Sequence, residues 1–257
     1  MNQLEEYFNN NEKRIIHKWQ HYFDIYDRHF RDYKNKDIVV LEIGVSNGGS
    51  LQMWKDYFGD KAKIYGIDIN PFCKELEEEN IEIFIGSQSD RKFLTEIKAK
   101  IPPVDILIDD GGHTMRQQII SYEELFSHIK PSGIYLCEDL QTSYKLNFGG
   151  GYKRNGTFIE YSKNFIDYLH AFHSNQRSLA VSNFTTSVNS VHYYDSVIVI
   201  EKKPRKRPKA IQSGNKSVKY PTIKETSRNK NIKKIKRKVT SGIEKILQAL
   251  RIRSVFR

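Results

Sequence analysis

The chain has 257 residues, 38% of them hydrophobic and 12% aromatic, which is enough to bury a core and excludes wholesale disorder. Two cysteines, Cys73 and Cys137, are too few for a disulfide framework or a cysteine-built zinc site, and no run approaches the ~18 apolar residues of a spanning helix. The net charge of +11 is unevenly held: residues 202–257 carry 20 Lys/Arg against two acids, Glu225 and Glu244 (+18), leaving 22 bases against 29 acids (−7) in residues 1–201.

The first residues, MNQLEEYFNNNEKR, lack a basic-then-apolar leader, so a cytoplasmic chain is expected. Residues 1–37 read as a helical segment packed on the core. Ile15, Ile16, Trp19, Tyr22, Phe23, Tyr26, Phe30 and Tyr33 recur at three- and four-residue steps. From 38 to 203, strand-like runs alternate with helix-like blocks. Strands are expected at 38–43, 63–68, 81–85, 104–109 and 133–138, with helices at 50–58, 72–78, 90–99 and 116–129. That rhythm predicts an α/β fold, a mostly parallel sheet with helices on both faces. Two further runs, 178–187 and 191–201, predict an antiparallel pair at one edge, making seven strands. Residues 204–230 read as a disordered basic linker. Residues 231–257 regain a helical stripe of Ile232, Ile235, Val239, Ile243, Ile246, Leu247 and Leu250, a basic amphipathic helix.

The first strand runs into a glycine turn, Gly44 to Ser50, where the backbone can approach a ligand closely and free N–H groups begin a helix. The second strand ends in Asp68, an acceptor for ribose hydroxyls. Turn plus acid point to an adenosine-bearing cofactor. The spacing departs from G-x-G-x-x-G, and Glu42, two residues before Gly44, would repel a pyrophosphate but attract the ammonium of a methionine moiety. A nicotinamide dehydrogenase is therefore disfavoured. The loop Gly86-Ser87-Gln88-Ser89-Asp90 suits an adenine edge, or caps the next helix.

Strand four ends in Asp109-Asp110-Gly111-Gly112-His113 and strand five in Glu138-Asp139. Asp110 and Glu138 lie 28 residues apart, one βαβ unit, so their strands are expected to be neighbours ~4.8 Å apart. Asp110, Glu138 and Asp139 would converge at the carboxyl edge, where open α/β sheets hold their sites. Three carboxylates repel one another, and a hard divalent cation such as Mg²⁺ is the remedy. His113 faces the same point as a candidate general base. The glycine-rich segment 147–156 reads as a loop covering the acceptor.

LEIGVSNGGSLQMW, the Asp68 strand end, IDDGGH and EDLQTSY together resemble the class I S-adenosylmethionine-dependent methyltransferases, and more narrowly the metal-dependent sugar O-methyltransferases of macrolide glycosides. The resemblance spans roughly residues 12–201. It implies a Rossmann-like class I fold, Mg²⁺ on Asp110, Glu138 and Asp139, and His113 as catalytic base with Asp110. It also implies S-adenosyl-L-methionine held by Glu42, Gly44, Ser50, Asp68, Gln88 and Ser89, with Asp109 or Asp110 bordering its methionine end, and Thr142 and Tyr144 beside the acceptor. Ser87 stands where members often carry Asp. A homodimer or homotetramer is implied as well.

The expected function is methylation of a sugar hydroxyl on a glycoside, nucleotide sugar or surface polysaccharide. The basic helix suggests contact with an anionic membrane at its inner face. One alternative is an RNA methyltransferase gripping phosphate with the tail, which the acidic body argues against. Another is a silent scaffold, which the intact Asp110, His113, Glu138 and Asp139 set argues against.

Overall fold

Each short branched run in the first half forms a strand: β1 (Val39–Ile43), β2 (Lys63–Asp68), β3 (Ile81–Ile85), β4 (Val104–Asp109) and β5 (Ile129–Cys137). The computed structural model describes residues 1–218 and 227–249. Helices α1 (Gln3–Asn9) and α2 (Tyr22–Phe30) precede the sheet; α3 (Gly49–Phe58), a 3-10 turn (Pro71–Leu76), α4 (Arg91–Lys100) and α5 (Met115–Leu125) connect its strands. Then come α6 (Phe158–Ser162), α7 (Asn164–His170), α8 (Asn183–Ser187), β6 (Val188–Tyr194) and β7 (Val197–Lys202). The seven strands lie in the order β3-β2-β1-β4-β5-β7-β6, with β7 antiparallel to both neighbours and the other six sharing one direction. This is a Rossmann-like, doubly wound sheet with one antiparallel strand. Strand order reverses between β1 and β4, which opens a crevice at their carboxyl ends.

Period-two alternation splits the strands between two cores. Val40, Ile64, Ile106 and Ile108 face α2 and α3, where Tyr26, Phe30, Trp54 and Phe58 are fully buried. Trp54 meets the Tyr26 ring edge-on at 5.1 Å, a geometry that adds to area burial. Leu41, Ile43, Leu107 and Tyr135 face Leu94, Ile97, Tyr122 and Phe165.

The N-terminal segment differs from the expected continuous helix. α1 stops in the Asn9-Asn10-Asn11 run, and residues 10–21 form a non-helical strap. The strap passes so close to α3 that a Cβ on Gly49 would lie 2.3 Å from the Ile15 carbonyl oxygen and 2.5 Å from that of Arg14. Ile15 and Trp19 are exposed, while Tyr22, Phe23, Tyr26 and Phe30 are in the core. The stripe thus merges two different structures.

The end of the sheet differs too. Residues 178–187 contain no strand; Ser182 and Thr185 form a capping box that starts α8 instead. Both last strands fit within 188–202, joined at Asp195-Ser196, where Ser196 takes a positive φ of 63°. The antiparallel strand is β7, inserted between β5 and the edge strand β6.

The body extends past Lys203. The Lys203 and Arg205 amides donate to Ser187 and Thr186 carbonyls at 2.7 Å each, and the Arg205 guanidinium donates to the Val188 carbonyl at 2.9 Å. The chain divides into units Met1–Pro208 and Lys209–Arg257. The second holds α9 (Ser227–Ala249), which begins four residues before the predicted 231; Ile232, Ile235, Val239 and Ile246 on it are exposed. Residues 219–226 of the expected linker and 250–257 of the expected helix, Leu250 among them, lie outside the described residues. Among the described residues no helix is long and apolar enough to cross a membrane.

Candidate active site

Strand register assembles the site. Ile43 lies opposite Asp109, and Asp109 opposite Cys137. The following residues, Gly44, Asp110 and Glu138, therefore leave the sheet side by side. The Asp110 amide donates to the Ile43 carbonyl at 2.9 Å, and the Glu138 amide to the Asp109 carbonyl at 2.9 Å. Gly44 (φ +98°) has no room for a side chain, since its Cβ would fall 2.0 Å from the Asp110 carbonyl oxygen. The first glycine thus lets two strand ends approach, and Gly49 lets the strap approach.

Asp110, His113 and Asp139 form a cluster, with one ligand atom from each lying within 4.8 Å of the others. His113 Nε2 is 3.8 Å from Asp110 Oδ1 and 3.5 Å from Asp139 Oδ2. His113 and Asp139 both hold positive φ, 55° and 54°, a costly backbone for non-glycine residues. Thr142 holds them there: its hydroxyl lies 2.9 Å from the His113 carbonyl and 2.8 Å from that of Asp139. Thr142 is 2% exposed, so it is a latch beneath the site and not the acceptor contact expected of it. Tyr144 is 55% exposed. Thr114 caps α5 with Gln117 in a capping box, fixing where the helix starts after His113.

The N-terminal segment supplies a partner to each acid. Lys18 Nζ, on the strap, lies 2.5 Å from Asp110 Oδ2, 3.0 Å from Glu138 Oε2 and 3.7 Å from Glu42 Oε1. On α2, the Tyr22 hydroxyl donates to Asp139 at 2.8 Å and the Tyr26 hydroxyl to Glu138 at 2.5 Å. Burial would pull the Lys18 ammonium down, but Asp110, Glu138 and Glu42 outweigh it and hold the group charged. Burial and then Asp110 push Glu138 up, while Lys18 and Tyr26 oppose them. Lys18 lies outside every motif that the sequence singles out. The available signal was the asparagine run that ends α1, which frees the following residues to cross the sheet edge.

Two clefts meet at Gly44, Asp110 and Gly111. One, of about 230 Å³, is bordered by Gly44, Asp68, Gly86, Ser87 and Gln88; the other, of about 250 Å³, by Lys18, Trp19, Ser50, His113 and Asp139. Asp68 Oδ2 accepts from the Val45 and Ser46 amides at 2.9 Å each, and Oδ1 from Asn70 at 2.8 Å, so this acid shapes the glycine turn. Glu42 is sealed at 0% exposure and accepts from Ser50 at 2.7 Å. Its Oε1 has no hydrogen-bond partner, and burial pushes its pKa up from 4.5 to about 6. Lys18 and Ser50 stand between this carboxylate and the cleft.

Two of the expected cofactor contacts, Asp109 and Ser89, do not border the cleft, and Gln88, which does, also turns inward. Asp109 is 1% exposed and bonded to Ser121 and, at 3.0 Å, to Gln88 Nε2; burial pushes its pKa up to about 6. The Gln88 carbonyl oxygen accepts from Gly112 at 2.7 Å. These two side chains brace the Gly111-Gly112 turn from below. Ser87, not Ser89, borders the cleft, and the two hydroxyls bond each other at 3.0 Å.

The chain is 38% identical over 188 residues to the demethylmacrocin O-methyltransferase of Streptomyces fradiae, covering 69% of this chain and 47% of that protein. It is 37% identical over 188 residues to the mycinamicin VI 2''-O-methyltransferase of Micromonospora griseorubida, with the same coverage of 69% and 47%. A solved methyltransferase of the mycinamycin biosynthetic pathway, in complex with Mg, SAH and mycinamycin VI, superposes with a TM-score of 0.69 at 33% identity. That match covers 79% of this chain and 53% of that one. The chain spans about half the length of the curated relatives it matches. No protein-family model matches it.

Proposed function

We propose, from the premise that the chain belongs by fold to the class I S-adenosylmethionine-dependent methyltransferases and is similar in sequence to sugar O-methyltransferases of glycosylated antibiotics, that it transfers a methyl group to a sugar hydroxyl with the help of a divalent cation. The observation that carries this reading is the junction of the two clefts at Asp110, with the Asp110, His113 and Asp139 cluster on one side and the Asp68-bordered cleft on the other. The donor set is oxygen-rich and part-exposed, which fits Mg²⁺.

When bound, S-adenosylmethionine supplies a methyl on a sulfonium, and Mg²⁺ supplies a positive charge that lowers the pKa of an acceptor hydroxyl. Asp110 and Asp139 would hold the ion, with Glu138 beside them on the Tyr26 hydroxyl. His113 would take the acceptor proton at Nε2, the nitrogen turned toward both carboxylates. Asp68, through Val45 and Ser46, keeps the glycine turn in the shape that receives the nucleoside. Gly44 sets the distance between the two clefts. Positioning therefore does most of the work.

Calorimetric titration of the full chain with S-adenosylhomocysteine, with and without Mg²⁺ and with NAD as control, tests the reading. Micromolar binding of the first and none of the second supports it; silence under both metal conditions refutes it. The exposed isoleucines of α9 amid its Lys and Arg support a finer reading, an acceptor on a surface polysaccharide met at the anionic inner face of a membrane. Vesicle co-sedimentation of the full chain against a chain ending at Pro208 tests that, and equal partitioning overturns it. Light scattering of the eluting protein checks the dimer or tetramer that the family resemblance implies.

A further inference from the structure

The mechanism leaves unused the buried cation of the site, Lys18, whose side chain is 2% exposed among three carboxylates. We propose that Lys18 and the divalent cation are alternative occupants of one carboxylate cradle, so that metal binding releases Lys18 and loosens the strap of residues 10–21. This rests on the metal-dependent reading above.

Geometry forces the competition. The ammonium lies 2.5 Å from Asp110 Oδ2 and 3.0 Å from Glu138 Oε2. An ion at ~2.1 Å from either oxygen would sit within about 5 Å of Nζ, where two positive charges repel. Each cation also satisfies the same need, since without one the buried acids repel each other. Lys18 thus holds the cradle together until metal arrives.

The surroundings allow the exchange. Glu42 Oε1, 3.7 Å from Nζ and lacking a hydrogen-bond partner, can receive the displaced ammonium. The strap is tied at one end by Arg14, whose guanidinium donates to the Leu76 carbonyl at 2.8 Å, and at the other by His21, 3.1 Å from the Asp195 carbonyl. Between those ties Ile15 and Trp19 are exposed, Ile16 packs partly buried against the core, and Lys18 is the charged anchor. Tyr22 and Tyr26, by contrast, belong to the packed helix α2, so they stay on Asp139 and Glu138 while the strap moves.

The test uses Mn²⁺ as probe on the full chain. Calorimetry is expected to show Mn²⁺ binding Lys18→Met about tenfold or more tighter than the parent. Amide hydrogen exchange of residues 12–21 in the parent is expected to speed up on Mn²⁺ addition, while exchange in α2 does not. Equal or weaker Mn²⁺ binding by a folded Lys18→Met overturns the proposal. So does unchanged strap exchange in a parent that binds Mn²⁺, and this second measurement decides the matter if the variant does not fold. Failure of both proteins to bind Mn²⁺ at millimolar concentration overturns the metal-dependent reading itself, and the competition with it.

Discussion

Glu42→Gln isolates the electrostatic cost built into the site. Glu42 is 0% exposed, and its pKa rises from 4.5 to about 6, with burial as the leading cause; Lys18 and Ser50 recover only part of the loss. Because the folded-state value lies above the unfolded one, Glu42 contributes stability that is fully present below 4.5 and lost as the pH rises through about 6. At neutral pH a carboxyl raised from 4.5 to about 6 costs on the order of 2 kcal/mol, at about 1.4 kcal/mol for each tenfold change in proton affinity. Glutamine has the same shape, can still meet the Ser50 hydroxyl and needs no charge. It should therefore stabilise the metal-free protein above about pH 7 by that amount. For a body of this size the thermal midpoint should rise by roughly 4–8 °C, while below about pH 4.5 parent and variant should converge. Scanning calorimetry in the presence of a chelator reads both. A variant that melts at or below the parent midpoint at neutral pH would refute the reasoning, because it would show that the ionised carboxylate is net favourable where it sits.

Three other outcomes follow from the geometry. His113→Ala should lower turnover about 10²–10⁴-fold with S-adenosylhomocysteine affinity unchanged; normal turnover with metal present would dismiss His113 as base. Thr142→Val removes the hydroxyl that holds the His113 and Asp139 carbonyls in place, and should cut kcat about tenfold or more through misplacement, with circular dichroism unchanged. Equal kcat would mean that the positive-φ pair is held by other contacts. Away from the site, His29 Nδ1 lies 2.8 Å from Glu201. Burial lowers the His29 pKa below 6.5, and Ser190, His29 and His192 lower that of Glu201 below 4.5 against its burial. Both contribute stability that is lost as pH falls, so the thermal midpoint should drop on acidification below 6.5 and again below 4.5. His29→Gln should flatten the first step, and an identical pH profile would count against the assignment.

The strands and the acids at their ends were legible because both signals are local. Branched apolar runs such as 104–109 leave no other way to bury themselves in an α/β chain, and a strand end places the next residue at the sheet edge. β1, β2, β3 and β4 accordingly lie within one residue of their predicted bounds. Asp110, Glu138 and Asp139 share an edge because β4 and β5 pair in parallel, which the 28-residue spacing already required. The run 178–187 misled because its apolar residues suit a strand, while the capping pair Ser182 and Thr185 starts a helix there.

The order of the elements, the glycine turn and the acidic strand ends are each set by neighbours a few residues apart. What those residues touch is set by packing between distant parts of the chain. Gly44 and Gly49 accommodate another part of the chain, Gln88 and Asp109 turn inward to brace a loop, and Thr142 latches the site from beneath. Lys18 meets Asp110 from 92 residues away and Glu138 from 120. No local pattern encodes such a contact: it exists because three clustered carboxylates, Glu42 and Glu138 among them buried, need a cation, and the strap passes where it can supply one.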